Sequence, residues 1–152
     1  MIIHLGADHA GFELKEKLKI FLADLGYETK DHGAFVFDNN DDYPDFIRPA
    51  AEAVAKNSDV DRGIVLGGSG QGEAMVANRL NGIRAAVFYC PHFSEEAKAI
   101  IRLSREHNNA NILSLGARFL DEETAKKAVK LWLDTAFKGE GRHVRRLKKI
   151  DG

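Results

Sequence analysis

The segment Gly67-Gly68-Ser69-Gly70-Gln71-Gly72-Glu73 carries the most distinctive chemistry in the chain. Four glycines between an apolar run and a helical stretch let backbone amides approach a ligand closely. A helix N-terminus behind them aims partial positive charge at it. This suits a phosphate or a developing oxyanion; the alternative is a tight structural turn. The segment has no Gly-Lys-Ser/Thr of a nucleotide P-loop. It also fails the G-x-G-x-x-G spacing, because the third glycine position falls on Glu73 or Met75. It is not a nucleophile elbow, since Gln71 stands where that motif needs glycine. Glu73 reads in two ways. Either it is a first-turn carboxylate favoured by the helix dipole, or it is a general base whose pKa burial must raise against that dipole.

Further candidates lie elsewhere in the chain. Asp8-His9 follow the first apolar run, and Asp8 can cap the helix behind it. His107-Asn108-Asn109 end another helical stretch, where a protonated histidine is favoured electrostatically. Arg142 and Arg146 are i,i+4 near the end of the chain, with His143 and Arg145 beside them. They form either a solvated face or a phosphate clamp, because guanidinium forks match phosphate oxygens. None of the six histidines has i,i+4 or Cys-paired spacing and Cys90 stands alone, so neither a metal site nor an internal disulfide is expected.

Alternating strand and helix patterns must position these groups. Ile2 to Gly6 reads as a strand, followed by a helix through Leu14, Leu18, Phe21, Leu22 and Leu25 that Gly26 stops. Tyr27 to Asp31 is a weaker strand. A polar loop, His32 to Asp42, ends at Tyr43-Pro44, and Pro44 opens a helix with Phe46, Ile47, Ala50, Ala51 and Val54 on one face. Gly63 to Leu66 is a buried strand entering the glycine loop, and a helix over about Glu73 to Leu80 follows it. Arg84 to Cys90 is the fourth strand. Ser94 caps a helix running to about His107, and Asn111 to Gly116 is the fifth strand. Asp121 caps the next helix, with Ala125, Val129, Trp132 and Ala136 in one stripe. Gly139 to Gly141 breaks that helix before the basic segment Arg142 to Lys149.

Five strand–helix units predict a mainly parallel five-stranded sheet with helices on both faces, a Rossmann-like three-layer α/β/α sandwich. Ligands in such sheets sit beyond the carboxyl ends of the strands. The expected active edge therefore holds Asp8-His9, Gly67 to Glu73, Cys90-Pro91-His92 and Arg118.

Composition limits the function further. The chain has 152 residues, 44% hydrophobic and 30% charged, which suits one globular domain over 1–152 and argues against extensive disorder. A net charge of −1 gives no overall field for nucleic acid or an anionic membrane. The charge is segregated, however: residues 138–152 carry +4 and the rest −5. The N-terminus does not read as a signal peptide and no apolar run suits a membrane helix, so a cytoplasmic protein is expected.

The motifs Gly6-Ala7-Asp8-His9-Ala10-Gly11, Asp42-Tyr43-Pro44 and Gly68-Ser69-Gly70-Gln71-Gly72-Glu73 with Ala77-Asn78 occur in this order. Gly82-Ile83-Arg84-Ala85, Arg105-Glu106-His107-Asn108-Asn109-Ala110, Leu115-Gly116-Ala117-Arg118 and Gly141-Arg142-His143 follow. Together they resemble the ribose-5-phosphate isomerase type B family, which includes the subunits of galactose-6-phosphate isomerase. The resemblance implies an aldose–ketose isomerase working through a cis-enediolate, without metal, nucleotide or other cofactor. One branch of that family carries a cysteine base just before the loop. Gly67 stands there in this chain, and Glu73 matches the glutamate of the other branch.

By resemblance, Asp8 and His107 assist opening of the sugar ring, and Glu73 moves the proton between C2 and C1. Ser69, Gly70, Gln71 and Gly72, with Asn108 nearby, hold the oxyanion, while His9, Arg118, Arg142 and Arg146 bind the phosphate. The resemblance also implies a homodimer, or a dimer of dimers, with sites between subunits that residues 139–152 help to build. A hexose 6-phosphate isomerase (galactose- or allose-type) and a non-catalytic sugar-phosphate-binding protein are the alternatives. The loop Phe35 to Asp42 receives no role from the sequence.

Overall fold

The computed structural model describes residues 1–152. Strand β1 (Ile2–Ala7) leads into helix α1 (Phe12–Asp24). The alternation continues through β2 (Glu28–Asp31), α2 (Pro44–Ala55), β3 (Arg62–Gly67), α3 (Gln71–Ala77), β4 (Ala85–Phe88), α4 (Glu95–Glu106), β5 (Ile112–Gly116) and α5 (Glu122–Asp134). A 3-10 turn over Ala117–Phe119 precedes α5, and the terminal helix α6 spans Gly141–Ile150. All five strands are parallel, in the order β2-β1-β3-β5-β4. The expected sandwich is present, with a sheet that is wholly rather than mainly parallel.

Strand alternation sends side chains to opposite faces and so builds two cores. Ile3, Leu5, Ile64, Leu66, Leu113 and Leu115 pack under Leu14, Leu18 and Leu22 of α1, Ile101 of α4, and Val129 and Trp132 of α5. On the other face, Val65 and Ile112 pack under Ile47, Ala50, Ala51 and Val54 of α2 and Ala77 of α3. No helix is long and apolar enough to cross a membrane.

Several boundaries differ from the sequence expectation, each for a local reason. The fourth strand is Ala85–Phe88 and not Arg84–Cys90, because β4 is an edge strand whose pairing stops where Phe88 meets Leu115. The helix expected from Glu73 to Leu80 begins earlier, at Gln71, and ends at Ala77. Asn78 closes it by bonding both backbone groups of Ala85 (2.7 and 3.1 Å). The stripe of α5 stops before Ala136, since the backbone turns extended at Thr135. Ser94 and Asp121 cap their helices as expected, accepting from the amides of Ala97 and Thr124. Asp8 does not: α1 starts after Gly11, and the Asp8 carboxylate instead accepts the amides of Ala10 (2.9 Å) and Gly11 (3.2 Å) in the preceding turn.

Strand order sets the place for a ligand. The chain leaves β1 to one side for β2, then crosses to the other side for β3, which opens a crevice at the carboxyl ends of β1 and β3. β5 lies between β3 and β4, so the turn after β5 reaches that crevice while the end of β4 does not.

Candidate active site

The crevice at this switch point is a cleft of about 420 Å³, lined by Asp8, His9, Ala10, Tyr43, Gly68, Ser69, Gly72, Glu73, Arg118 and Phe119. Its volume lies within the range of small-molecule sites.

Glu73 faces this cleft from the first turn of α3 yet is only 4% exposed. Burial raises its pKa above the ordinary carboxylate value. The amides of Glu73 and Gly70 pull it down, and the Asp8 carboxylate adds to the rise. The net direction is up, so desolvation outweighs the helix amides. That is the condition the sequence set for a general base. The carboxylate occupies the space over Gly67, where a side chain would overlap it.

The loop holds its shape through specific contacts. Gly70 sits in the left-handed region at φ 75° and ends the strand-to-helix turn. The buried Ser114 hydroxyl on β5 donates to the Gly70 carbonyl at 2.6 Å. The Ser69 hydroxyl lines the cleft and accepts from the Gln71 amide at 3.3 Å. The first amides of a helix lack intrahelical partners, which leaves this turn rich in donors.

Asp8, His9, Ser69, Gly72, Glu73 and Arg118 therefore meet in one cleft. Gly70 supports the loop from beneath, being buried. The Gln71 side chain does not line the cleft. It points outward, and its amide lies 3.3 Å from the Tyr89 hydroxyl. Cys90 and His92 do not reach the cleft either. Both follow the edge strand, and the Cys90 thiol donates to the His92 carbonyl. The ligand atoms of Asp8, His9 and Asp41 lie within 4.8 Å of one another. Asp8 is already engaged with two backbone amides, however, and Asp41 with His9, so hydrogen bonding accounts for the grouping.

His107, Asn108, Arg142 and Arg146 lie at the other edge of the same chain. Helix α4 runs antiparallel to the strands, so its end at His107 sits near their amino ends. Asn108 there lines a second cleft with Gly82, Arg84 and Asp151. The His107 ring stacks on that of His143, centroids 4.2 Å apart. His143 is 2% exposed, and burial lowers its pKa. Arg142 and Arg146 stay exposed on α6, with Arg142 donating to Glu140 at 2.9 Å. In one chain the expected site residues therefore fall into two groups at opposite edges of the sheet.

Tyr43, Ala10 and Phe119 line the cleft without having been singled out from the sequence. Tyr43 had one available signal, its place in the Asp42-Tyr43-Pro44 motif. Asp41 had none. It lies in a polar loop without periodicity, yet its carboxylate binds both the backbone amide of His9 (3.1 Å) and the imidazole Nδ1 (2.7 Å). The loop is anchored at its start by Lys15. This fully buried side chain spans both oxygens of Asp31 (2.7 and 2.8 Å) and donates to the Ala34 carbonyl at 2.8 Å. Phe37 closes the loop edge-on over the His9 ring, at 6.4 Å.

Residues 3–150 match the model of the Ribose/Galactose Isomerase family. The "probable ribose-5-phosphate isomerase B" of Mycoplasma genitalium is 41% identical over 148 residues, covering 97% of this chain and 92% of that protein. The crystal structure of ribose-5-phosphate isomerase B from Mycoplasma genitalium with bound ribulose-5-phosphate superposes with a TM-score of 0.91 at 39% identity, covering 99% of this chain and 93% of that one. Ribose-5-phosphate isomerase B of Clostridium thermocellum gives a TM-score of 0.88 at 44% identity, covering 99% and 95%.

Proposed function

The chain belongs to the ribose/galactose isomerase family, and on that premise we propose that it interconverts ribose 5-phosphate and ribulose 5-phosphate through a cis-enediolate with Glu73 as base. The observation that carries this reading is the buried, cleft-facing carboxylate of Glu73 with its raised pKa. A relative with ribulose-5-phosphate bound supports the substrate class.

The reaction starts on the cyclic sugar. Asp8 and His107 assist ring opening, as the anomeric hydroxyl loses a proton and the ring oxygen gains one. The Glu73 carboxylate then takes the proton from C2 of the open aldose. The C2–H electron pair forms the C1–C2 double bond, and the C1 carbonyl oxygen becomes the oxyanion of the enediolate. Amides of the loop over Ser69, Gly70, Gln71 and Gly72 hold that oxyanion, with Asn108 beside them. Preorganised donors of this kind contribute about 2.7–4 kcal/mol each to the transition state. Glu73 returns its proton to C1 while the hydroxyl proton on O2 passes to O1, leaving the C2 ketone. His9, Arg118, Arg142 and Arg146 bind the phosphate.

This assignment needs both half-sites, and in one chain they lie on opposite edges of the sheet. A homodimer in which α6 and the end of α4 of one protomer meet the Glu73 cleft of its partner brings them together. A closed two-fold arrangement then yields two equivalent composite sites.

Ribose 5-phosphate isomerisation by wild type and Glu73→Gln tests the proposal. The variant's kcat is expected to fall about 10²–10⁴-fold, the usual contribution of a general base. Equal rates overturn the base assignment. Turnover of a hexose 6-phosphate without turnover of ribose 5-phosphate overturns the substrate, and no turnover of either favours a binding protein.

A further inference from the structure

The loop Phe35 to Asp42 ends beside the phosphate-binding histidine of the proposed site. Asp41 reaches into the turn after β1, where one carboxylate oxygen accepts from both the His9 backbone amide (3.1 Å) and His9 Nδ1 (2.7 Å). The Asp41 side chain is 7% exposed against 26% for His9, so the contact is shielded while the imidazole still faces the cleft. The other Asp41 oxygen is buried without a partner, and all compensation for the carboxylate passes through the oxygen that His9 contacts.

We propose that Asp41 is a positioning residue: it fixes His9 with its Nδ1 proton toward the carboxylate and keeps the ring in the imidazolium form that donates Nε2–H to the substrate phosphate. This rests on the reading of His9 as a phosphate ligand. A carboxylate only accepts, so His9 Nδ1 must carry a proton. With Nδ1 protonated, the neutral ring offers the phosphate a bare Nε2 lone pair, and only the imidazolium can donate there. Phosphate binding through His9 thus depends on its charge, which Asp41 supports.

The surrounding groups agree with this direction. The hydrogen bond to Asp41 raises the His9 pKa above its ordinary 6.5 against the effect of burial. The Asp8 charge raises it further, and Arg118 across the cleft opposes. Phe37, edge-on to the ring, contributes no charge. The sign follows: His9 is cationic below its raised pKa and loses the phosphate bond as pH climbs through that value. A sugar phosphate becomes dianionic above a pKa of about 6, so the two charges coexist in the neutral range.

Asp41→Asn separates charge from tether. The His9 backbone amide needs an acceptor, which holds the Asn oxygen in place and leaves Nδ1 protonated, while the negative charge is gone. Steady-state kinetics with ribose 5-phosphate, together with histidine ¹⁵N NMR titrations of both proteins with and without inorganic phosphate, test this. In the variant the His9 pKa moves down and the rise of KM begins at lower pH. At about pH 7.5, KM is about five- to tenfold higher, and at about pH 6 less than twofold, with kcat within about twofold throughout.

An unchanged His9 pKa and KM profile in Asp41→Asn, with His9 still responding to phosphate, overturns the inference alone. A wild-type His9 whose Nδ1 is unprotonated also overturns it, whatever the variant does. A wild-type His9 indifferent to phosphate overturns both the inference and the reading beneath it.

Discussion

The carboxylate of Glu73 fills the space that a side chain on residue 67 would need: a Cβ built on Gly67 lies 2.7 Å from Glu73 Oε2 and overlaps Oε1. A side chain at the end of β3 and this carboxylate therefore exclude one another. The absence of a cysteine at position 67, which by resemblance goes with a glutamate at position 73, has a steric counterpart here.

Gly67→Ala is expected to displace the carboxylate, since the obstructing atoms are the free end of a flexible side chain. Isomerase kcat should fall about 10²–10⁴-fold, as in Glu73→Gln. Stability should fall by only about 1 kcal/mol, the low end for added volume in a packed site. Turnover assays with chemical denaturation of the same protein check this. A kcat within twofold of wild type would show that the carboxylate does not act from this position.

Raising the Glu73 pKa by burial links activity to stability. A carboxyl whose folded pKa is raised stabilises the fold while protonated and loses that contribution as pH climbs through the folded value. At neutral pH the ionised Glu73 therefore weakens the fold, and Glu73→Gln should be more stable than wild type there. The difference should disappear as pH falls below the ordinary carboxyl value of 4.5. Over the same window kcat/KM should drop with acidification, because the proposed base acts only when ionised. Denaturation curves and pH–rate profiles of both proteins measure the two effects, and a Gln variant less stable than wild type at neutral pH contradicts the sign.

In the proposed dimer each composite site joins Glu73 of one protomer to His107 of its partner, and a mixing experiment tests this. Glu73→Gln and His107→Ala each damage one half-site, and in a mixed dimer one composite site has both halves intact while the other has lost both. Unfolding and refolding an equimolar mixture should restore about a quarter of wild-type activity, since half the dimers are mixed and each has one working site. Activity no higher than the mean of the separate variants would place each complete site within one chain.

Some of the site was readable from residue types and order alone. Four glycines followed by a glutamate, an Asp-His pair after the first strand and an arginine after the fifth are local patterns, and the strand–helix alternation predicts which edge of a parallel sheet holds them. Asp41 was unreadable because its role depends on a contact between residues 32 positions apart, through a loop with no periodic signal. The orientation of Gln71 was equally hidden, since a residue at a helix start can face either side and only its neighbour Tyr89 decides.

By itself the sequence determined the alternation of elements, the glycine loop with its glutamate, and the segregation of positive charge into residues 138–152, because these follow from spacing, propensity and composition along the chain. Only the tertiary structure decided the rest. Placing β5 between β3 and β4 brings Arg118 to the cleft and leaves Cys90 and His92 outside it. The antiparallel course of α4 carries His107 and Asn108 to the far edge. Burial of Glu73 settles the direction of its pKa, because desolvation depends on every group packed around the carboxylate and on none of its neighbours in sequence alone.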